Sequence, residues 1–269
     1  MAIRFGENTP SAFYLGNSAV TALYRGTDLV WPNPPSIIAY SAASAPIDQF
    51  AVDYPFTIEW WQYKTTNIVR SGDTPNVLSL GFPGEVPCYT LEMDNPFGVS
   101  TNAVARLESV SNIYASNAAD AGNALNVWEH FALCGNSTGV FYWKNGVIMS
   151  AVSSPKPSLF PNSNNQYLTI GANSTSSINT GFPGYITNLR LVNGTCVYNP
   201  GGQLTPFTPP TSPLTAIAGT KLLLLATTSA SQYTDSGPSA RTPVSTIGTQ
   251  WSSLSPYAGG VGGSIAFNQ

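Results

Sequence analysis

Residues 128–149 read WEHFALCGNSTGVFYWKNGVIM, and the turns in this stretch decide the fold. Residues 131–134 and 140–143 are short runs of apolar and aromatic side chains, joined by Gly135-Asn136-Ser137-Thr138-Gly139. Lys144-Asn145-Gly146 then supplies the Asn-Gly pair of a type I′ hairpin turn, whose two central residues both need positive φ. Val147, Ile148 and Met149 start a third strand. The pattern predicts a three-stranded antiparallel meander.

Working outward, the composition agrees with an all-β chain. No window of the 269 residues sustains helical periodicity, and Gly (24) and Pro (22) punctuate many short strand-forming runs. Residues 117–125 come nearest to a helix, but Gly122 interrupts them. Strands are expected at 37–40, 56–63, 77–80, 89–93, 104–107, 113–114 and 222–225. Charged residues make up 9% of the chain against a usual share of about 25%. So little repulsion between copies suits a protein that lives in an assembly, as a homo-oligomer or bound among other proteins. Ten scattered Lys and Arg with net charge −3 argue against nucleic acid, which calls for clustered cations. No apolar run approaches a membrane span, and MAIRFGENTP lacks the charged-then-apolar pattern of a signal peptide. Cys88, Cys134 and Cys196 have no metal-ligand spacing and are expected as buried free thiols. The three Asn-x-Thr/Ser-type sequons, at Asn136, Asn173 and Asn193, are expected to be polar turns.

Three segments in order carry a family resemblance. Phe56-Thr57-Ile58-Glu59-Trp60, the W-x-H-F-A … V-x-Y-W-x-N-G of the central meander, and Leu168-Thr169-Ile170-Gly171 with Phe182-x-Gly184-x-Ile186-x-x-Leu189-Arg190 resemble the concanavalin A-like lectin and glucanase domains of laminin-G type. The resemblance covers about residues 50–200 and implies a jelly-roll β-sandwich, without specifying a ligand. The closing pattern LLLL … DSG … SPY … GGSIAFN resembles laminin-G-like proteins of marine phages. There G-S-I-x-F usually opens a further domain, and here Ile265 and Phe267 alternate with Ser264 and Ala266 at the period of a half-buried strand, so residues 264–267 are expected to pair in a sheet, within their own domain or with a neighbour.

The first thirty residues repeat in tens, AIRFGENTPS, AFYLGNSAVT and ALYRGTDLVW, with glycine at 6, 16 and 26. Units this short cannot bury a face alone and must stack or dock. The sequence Y-x-G-x-x-x-V-x-x-x-Y-x-G-x-x-L-V-W-P resembles an element at the front of tailed-phage virion proteins. Phe5, Phe13, Tyr14, Tyr24, Val30 and Trp31 are the docking candidates, the alternative being ordinary strands of the main domain. The expected organisation is a docking module at 1–32, a Pro-rich linker at 33–36, and a sandwich at 37–269 that includes a closing segment at 220–269. Residues 199–219 form a second Pro-rich crossing.

Glu92-Met93-Asp94 imitates the E-x-D-x-x-E strand of glucanases, but Pro96 and Phe97 stand where the second glutamate belongs. A retaining hydrolase needs two carboxylates about 5–5.5 Å apart. Glu59 or Glu129 would have to substitute, and neither has the spacing, so no catalytic residue is expected. His130, the single histidine, is expected in the core. Asp48, Asp53, Asp73, Asp94, Asp120 and Asp235 are dispersed and indicate no metal, and no phosphate-cradling loop or cofactor motif occurs. Sugar binding would use exposed aromatic rings, for which Trp60, Trp143, Tyr198 and Trp251 are the candidates. The resemblance therefore implies a structural protein on a tailed-phage virion, in capsid or tail, with other virion proteins as partners. The alternatives are a carbohydrate-binding adhesin for host-surface glycans and, last, a glycan hydrolase.

Overall fold

The computed structural model describes residues 13–15, 18–20, 23–25, 28–31, 38–41, 55–66, 76–80, 89–92, 106–109, 112–115, 124–152, 167–171, 182–199, 204–245 and 248–267. The chain is all-β. In order the strands are β1 (Phe13–Leu15), β2 (Ser18–Val20), β3 (Leu23–Arg25), β4 (Asp28–Trp31), β5 (Ile38–Ser41), β6 (Phe56–Lys64), β7 (Asn76–Leu80), β8 (Tyr89–Glu92), β9 (Arg106–Ser109) and β10 (Asn112–Ala115). They continue as β11 (Trp128–Asn136), β12 (Gly139–Lys144), β13 (Val147–Val152), β14 (Tyr167–Ile170), β15 (Gly184–Asn193), β16 (Thr220–Leu224), β17 (Pro243–Ser245), β18 (Thr249–Ser252) and β19 (Ser264–Phe267).

Two antiparallel sheets face each other. One has seven strands in the order β10-β9-β8-β7-β14-β5-β17; the other runs β13-β12-β11-β6-β15-β19-β18, with β16 also paired to β15. The core lies between them: Val77, Leu78, Leu168 and Ile170 of the first sheet meet Phe56, Ile58, Trp60, Phe131, Leu133, Leu189 and Leu191 of the second. An inner aromatic ladder crosses three strands, with Trp60 stacked on Phe131 (ring centroids 5.5 Å) and Phe131 on Tyr142 (6.0 Å).

The meander forms as read, with longer strands than expected. β11 continues to Asn136 and β12 begins at Gly139, because Asn136 Oδ1 accepts the Thr138 N–H at 2.8 Å and closes the turn in two residues. Asn145 and Gly146 have φ of 50° and 77°, the positive pair the type I′ turn requires. β17 had no sequence signal; it adds to the sheet edge beside β5. The C-terminal strand pairs within its own chain, between β15 and β18.

One edge of β15 is divided between two strands. Gly184–Ile186 pairs with β19, and Leu189–Val192 with β16. Between them Asn188, at φ 52°, forms a bulge in which Asn188 and Leu189 together oppose Trp60. The extra residue lets Ile186 and Leu189 both reach the core, where strict alternation would have turned one of them out.

β1 pairs with β2 and β3 with β4, as two separate two-stranded sheets. The pairing Leu15↔Ser18 places Gly16-Asn17 between β1 and β2, and Arg25↔Asp28 places Gly26-Thr27 between β3 and β4, matching the ten-residue repeat. Phe13 and Tyr14 lie in β1, Tyr24 in β3, and Val30 and Trp31 in β4, whereas Phe5 and the linker at 33–36 lie outside the described residues.

Candidate functional site

On β6 the side chains alternate. Phe56, Ile58 and Trp60 enter the core, which puts Thr57, Glu59, Trp61 and Tyr63 on the outer face of the eight-stranded sheet. Most of that face is covered. Residues 204–218 of the second Pro-rich crossing run over it as a strap from the β12–β13 turn to β15. The Phe207 N–H donates to the Gly146 carbonyl at 3.0 Å, the Leu214 N–H to Asn188 Oδ1 at 2.8 Å, and Arg190 Nη1 to the Thr215 carbonyl at 2.7 Å. The Phe207 ring stacks on Tyr198 at 3.8 Å and meets His130 and Trp143 edge-on.

Beneath the strap lies a buried charge cluster. Arg190 Nε and Nη2 both donate to Glu59 Oε1, at 2.8 and 2.5 Å. The Tyr198 hydroxyl donates to Glu59 Oε2 at 2.5 Å, and His130 Nε2 stands 3.4 Å from the same oxygen. Burial by itself would raise the Glu59 carboxyl; the combined pull of His130, the Arg190 charge and the Tyr198 hydroxyl outweighs it and holds the group below its ordinary value. The same arrangement raises the Tyr198 phenol, first through burial and then through the adjoining Glu59 charge. Glu59 and His130 are both fully buried, so this carboxylate clamps the strap and meets no solvent.

The outer face emerges from cover at the end of the sheet where β11 begins. Trp128 on β11, Tyr63 on β6 and Tyr185 on β15 are register partners, and all three are partly exposed. Tyr63 packs edge-on against Trp128 (5.5 Å) and Tyr185 (5.7 Å). The row continues through Ala266 on β19 to the exposed Gln250 on β18. Behind it, Trp61 is flanked by His130 at 5.2 Å and Tyr257 at 6.2 Å. Four strand spacings of about 4.8 Å give the ledge a length of roughly 19 Å. It carries ring faces, phenols and an amide and, among the described residues, no charged side chain.

The residues expected to contact sugar do not make this site. Trp60 and Trp143 are both 0% exposed, Trp60 because it shares the inward parity of Phe56 and Ile58, Trp143 because the strap lies over it. Tyr198 has its hydroxyl committed to Glu59 and its ring to Phe207. Trp251 donates its indole N–H to the Ala226 carbonyl at 3.0 Å. Only Trp143 and Tyr198 come together, at 6.3 Å under the strap. Sequence reasoning missed Tyr63, Trp128 and Tyr185, although the parity of Phe56 and Ile58 already turned Trp61 and Tyr63 outward.

Glu129, the other acid weighed for catalysis, pairs with Lys144 at 2.7 Å, and burial raises its carboxyl despite that cation. Glu92 lies in β8 and Asp94 outside the described residues. Asp235 caps a turn: Oδ1 accepts the N–H groups of Leu223 (2.9 Å) and Gly237 (2.8 Å), and Oδ2 that of Arg241 (3.1 Å). No group of three metal-ligating side chains occurs among the described residues.

No family model and no curated protein sequence matches the chain. Solved structures do resemble it. A Bacteroides ovatus protein put forward as carbohydrate-binding is 15% identical over 72% of this chain and 52% of its own, with TM-score 0.47. Domain 4 of AbnA, a GH43 extracellular arabinanase from Geobacillus stearothermophilus in complex with arabinotriose, is 18% identical over 55% of this chain and 64% of its own, with TM-score 0.43. The chain thus spans less than two thirds of the length of either. The enzymatically active domain of tailspike protein 2 from bacteriophage CBA120 is 10% identical over 70% of this chain and 34% of its own, with TM-score 0.41.

Proposed function

We propose that the sandwich binds carbohydrate along the Trp128–Tyr63–Tyr185 row. The observation that carries this reading is the row itself: three aromatic side chains in register on adjacent strands, left uncovered where the rest of the face is roofed. Aromatic rings that stay partly wet offer apolar faces to the C–H face of a pyranose, while phenols and the Gln250 amide meet its hydroxyls. The site binds without cleaving: Glu59 is sealed, and Glu92→Gln or Asp94→Asn should alter no polysaccharide hydrolysis. A glycan array followed by titration calorimetry on the best hit tests the proposal. Trp128→Ala, Tyr63→Ala and Tyr185→Ala should each weaken binding at least about tenfold, or about 1.4 kcal/mol. Absence of any glycan hit, or affinity unchanged in all three variants, would refute it.

A second reading concerns where this binder sits. Two small hairpins in sheets of their own, built on a ten-residue repeat, support a role as a displayed protein of a tailed-phage virion, held by its N-terminal module to other virion proteins. Deleting residues 1–31 should leave a folded sandwich that no longer enters particles. Incorporation of the truncated chain would remove this reading and leave the glycan site standing.

A further inference from the structure

Cys134 and Cys196 lie 62 positions apart in sequence and together in space. Cys134 is on the outer face of β11, opposite Thr57; Cys196 is in the turn that leaves β15. Both are free and buried, within one cluster that includes Ala132, Phe141 and Trp143. The Thr57 hydroxyl fixes their proximity. It touches Cys134 Sγ at 3.3 Å, donates to the Thr195 carbonyl at 2.8 Å and accepts the Val197 N–H at 2.9 Å, so the residues on both sides of Cys196 are held to the atom that touches Cys134. The two thiols are close enough to shift each other's titration.

We propose that Cys134 and Cys196 are a latent disulfide site, closed by thiol–disulfide exchange with a small disulfide oxidant. Cys196 attacks first. Its turn is at the surface, with Gly194 exposed, so a local opening bares it, while Cys134 stays within the sheet. The neighbouring Cys134 also lowers the Cys196 thiol, and burial raises that of Cys134. The Cys196 thiolate displaces one thiolate from the oxidant and forms a mixed disulfide. Cys134, giving up its proton to solvent, then attacks the Cys196 sulfur and expels the second thiolate. Two protein thiols are oxidised and one oxidant disulfide is reduced to two thiols. The new bond ties β11 to the start of the strap-bearing segment, so a chain folded under reducing conditions gains a brace when it meets an oxidising medium.

The test uses the intact chain with oxidised glutathione, followed by non-reducing peptide mapping and thermal unfolding. The expected product is an intrachain 134–196 crosslink, two mass units lighter than the dithiol, with Tm raised by about 4–16 °C and restored by dithiothreitol. Cys134→Ser should stop at the glutathione adduct on Cys196. Exposure is controlled by repeating the oxidation in sub-denaturing urea, where the turn opens. Free thiols there, a persistent glutathione adduct in the unaltered chain, or pairing through Cys88 instead would each overturn the proposal.

Discussion

Replacing Glu59 by Gln should cost the sandwich a large part of its stability. The carboxylate is fully buried, receives two hydrogen bonds from Arg190 and one from Tyr198, and has His130 beside it. The amide keeps the shape and an oxygen that can still accept from Arg190, but it loses the charge, which leaves the guanidinium of the 6%-exposed Arg190 without its carboxylate counter-ion. Removing one member of a buried pair costs about 3–5 kcal/mol. At about 2–4 °C per kcal/mol for a domain of this size, Tm should fall by about 6–20 °C. Urea unfolding of E59Q, R190M and the double variant measures it. The double variant should recover much of the loss, because no orphaned charge remains. The acid limb supplies a second readout. A carboxyl held below its ordinary value contributes stability above the unfolded value of about 4.3, and that contribution is lost as pH falls through the lower folded value. E59Q should therefore lose stability less steeply in acid than the parent. A loss under about 1 kcal/mol, or a double variant no better than E59Q, would refute the clamp; the scale is that of removing one partner from a buried pair.

Gly146→Ala should destabilise by about 1–3 kcal/mol, because φ is 77° and the added Cβ would overlap the Phe207 carbonyl; chemical denaturation measures it, and a neutral result would mean the strap does not press on this turn. Phe267→Ser removes a 2%-exposed ring packed on Phe182, and should cost about 1.5–3 kcal/mol. Amide exchange across residues 264–267 should be slow in the parent chain. Glu129→Gln has the opposite sign to E59Q. A raised carboxyl contributes most below its unfolded value and loses that contribution as pH rises through the folded one, so E129Q should match the parent at pH 4 and equal or exceed its Tm at pH 8.

The meander was legible because its information is local: Asn145-Gly146 states the turn, and the flanking apolar runs state the strands. The C-terminal strand was legible from the alternation of Ile265 and Phe267. β17 was not, since three residues starting with Pro243 carry no period. The crossing was legible but not the face it covers, because nothing in PFTPPTSPL says what it lies on. For the same reason Trp143 looked free to meet a sugar. The parity of β6 could have separated Trp60 from Tyr63, but the register that lines Tyr63 up with Trp128 and Tyr185 joins residues 65 and 122 positions apart, and pairings that distant leave no mark in a short window.

The strap is held by a few point anchors. Residues 204–218 contain no strand, so no hydrogen-bond ladder ties them to the sheet they cover. Segments fastened this way open at lower free energy than the ladders beneath them, and the exposed Leu204, Thr205 and Pro206 are where a protease would enter first. A single cut there would not release the C-terminal quarter. β16 and β19 both remain hydrogen-bonded along β15, so the two pieces would stay together as a nicked complex. Expressed separately, they should find each other by strand pairing, which makes this bend a natural point at which to split the molecule into complementing halves.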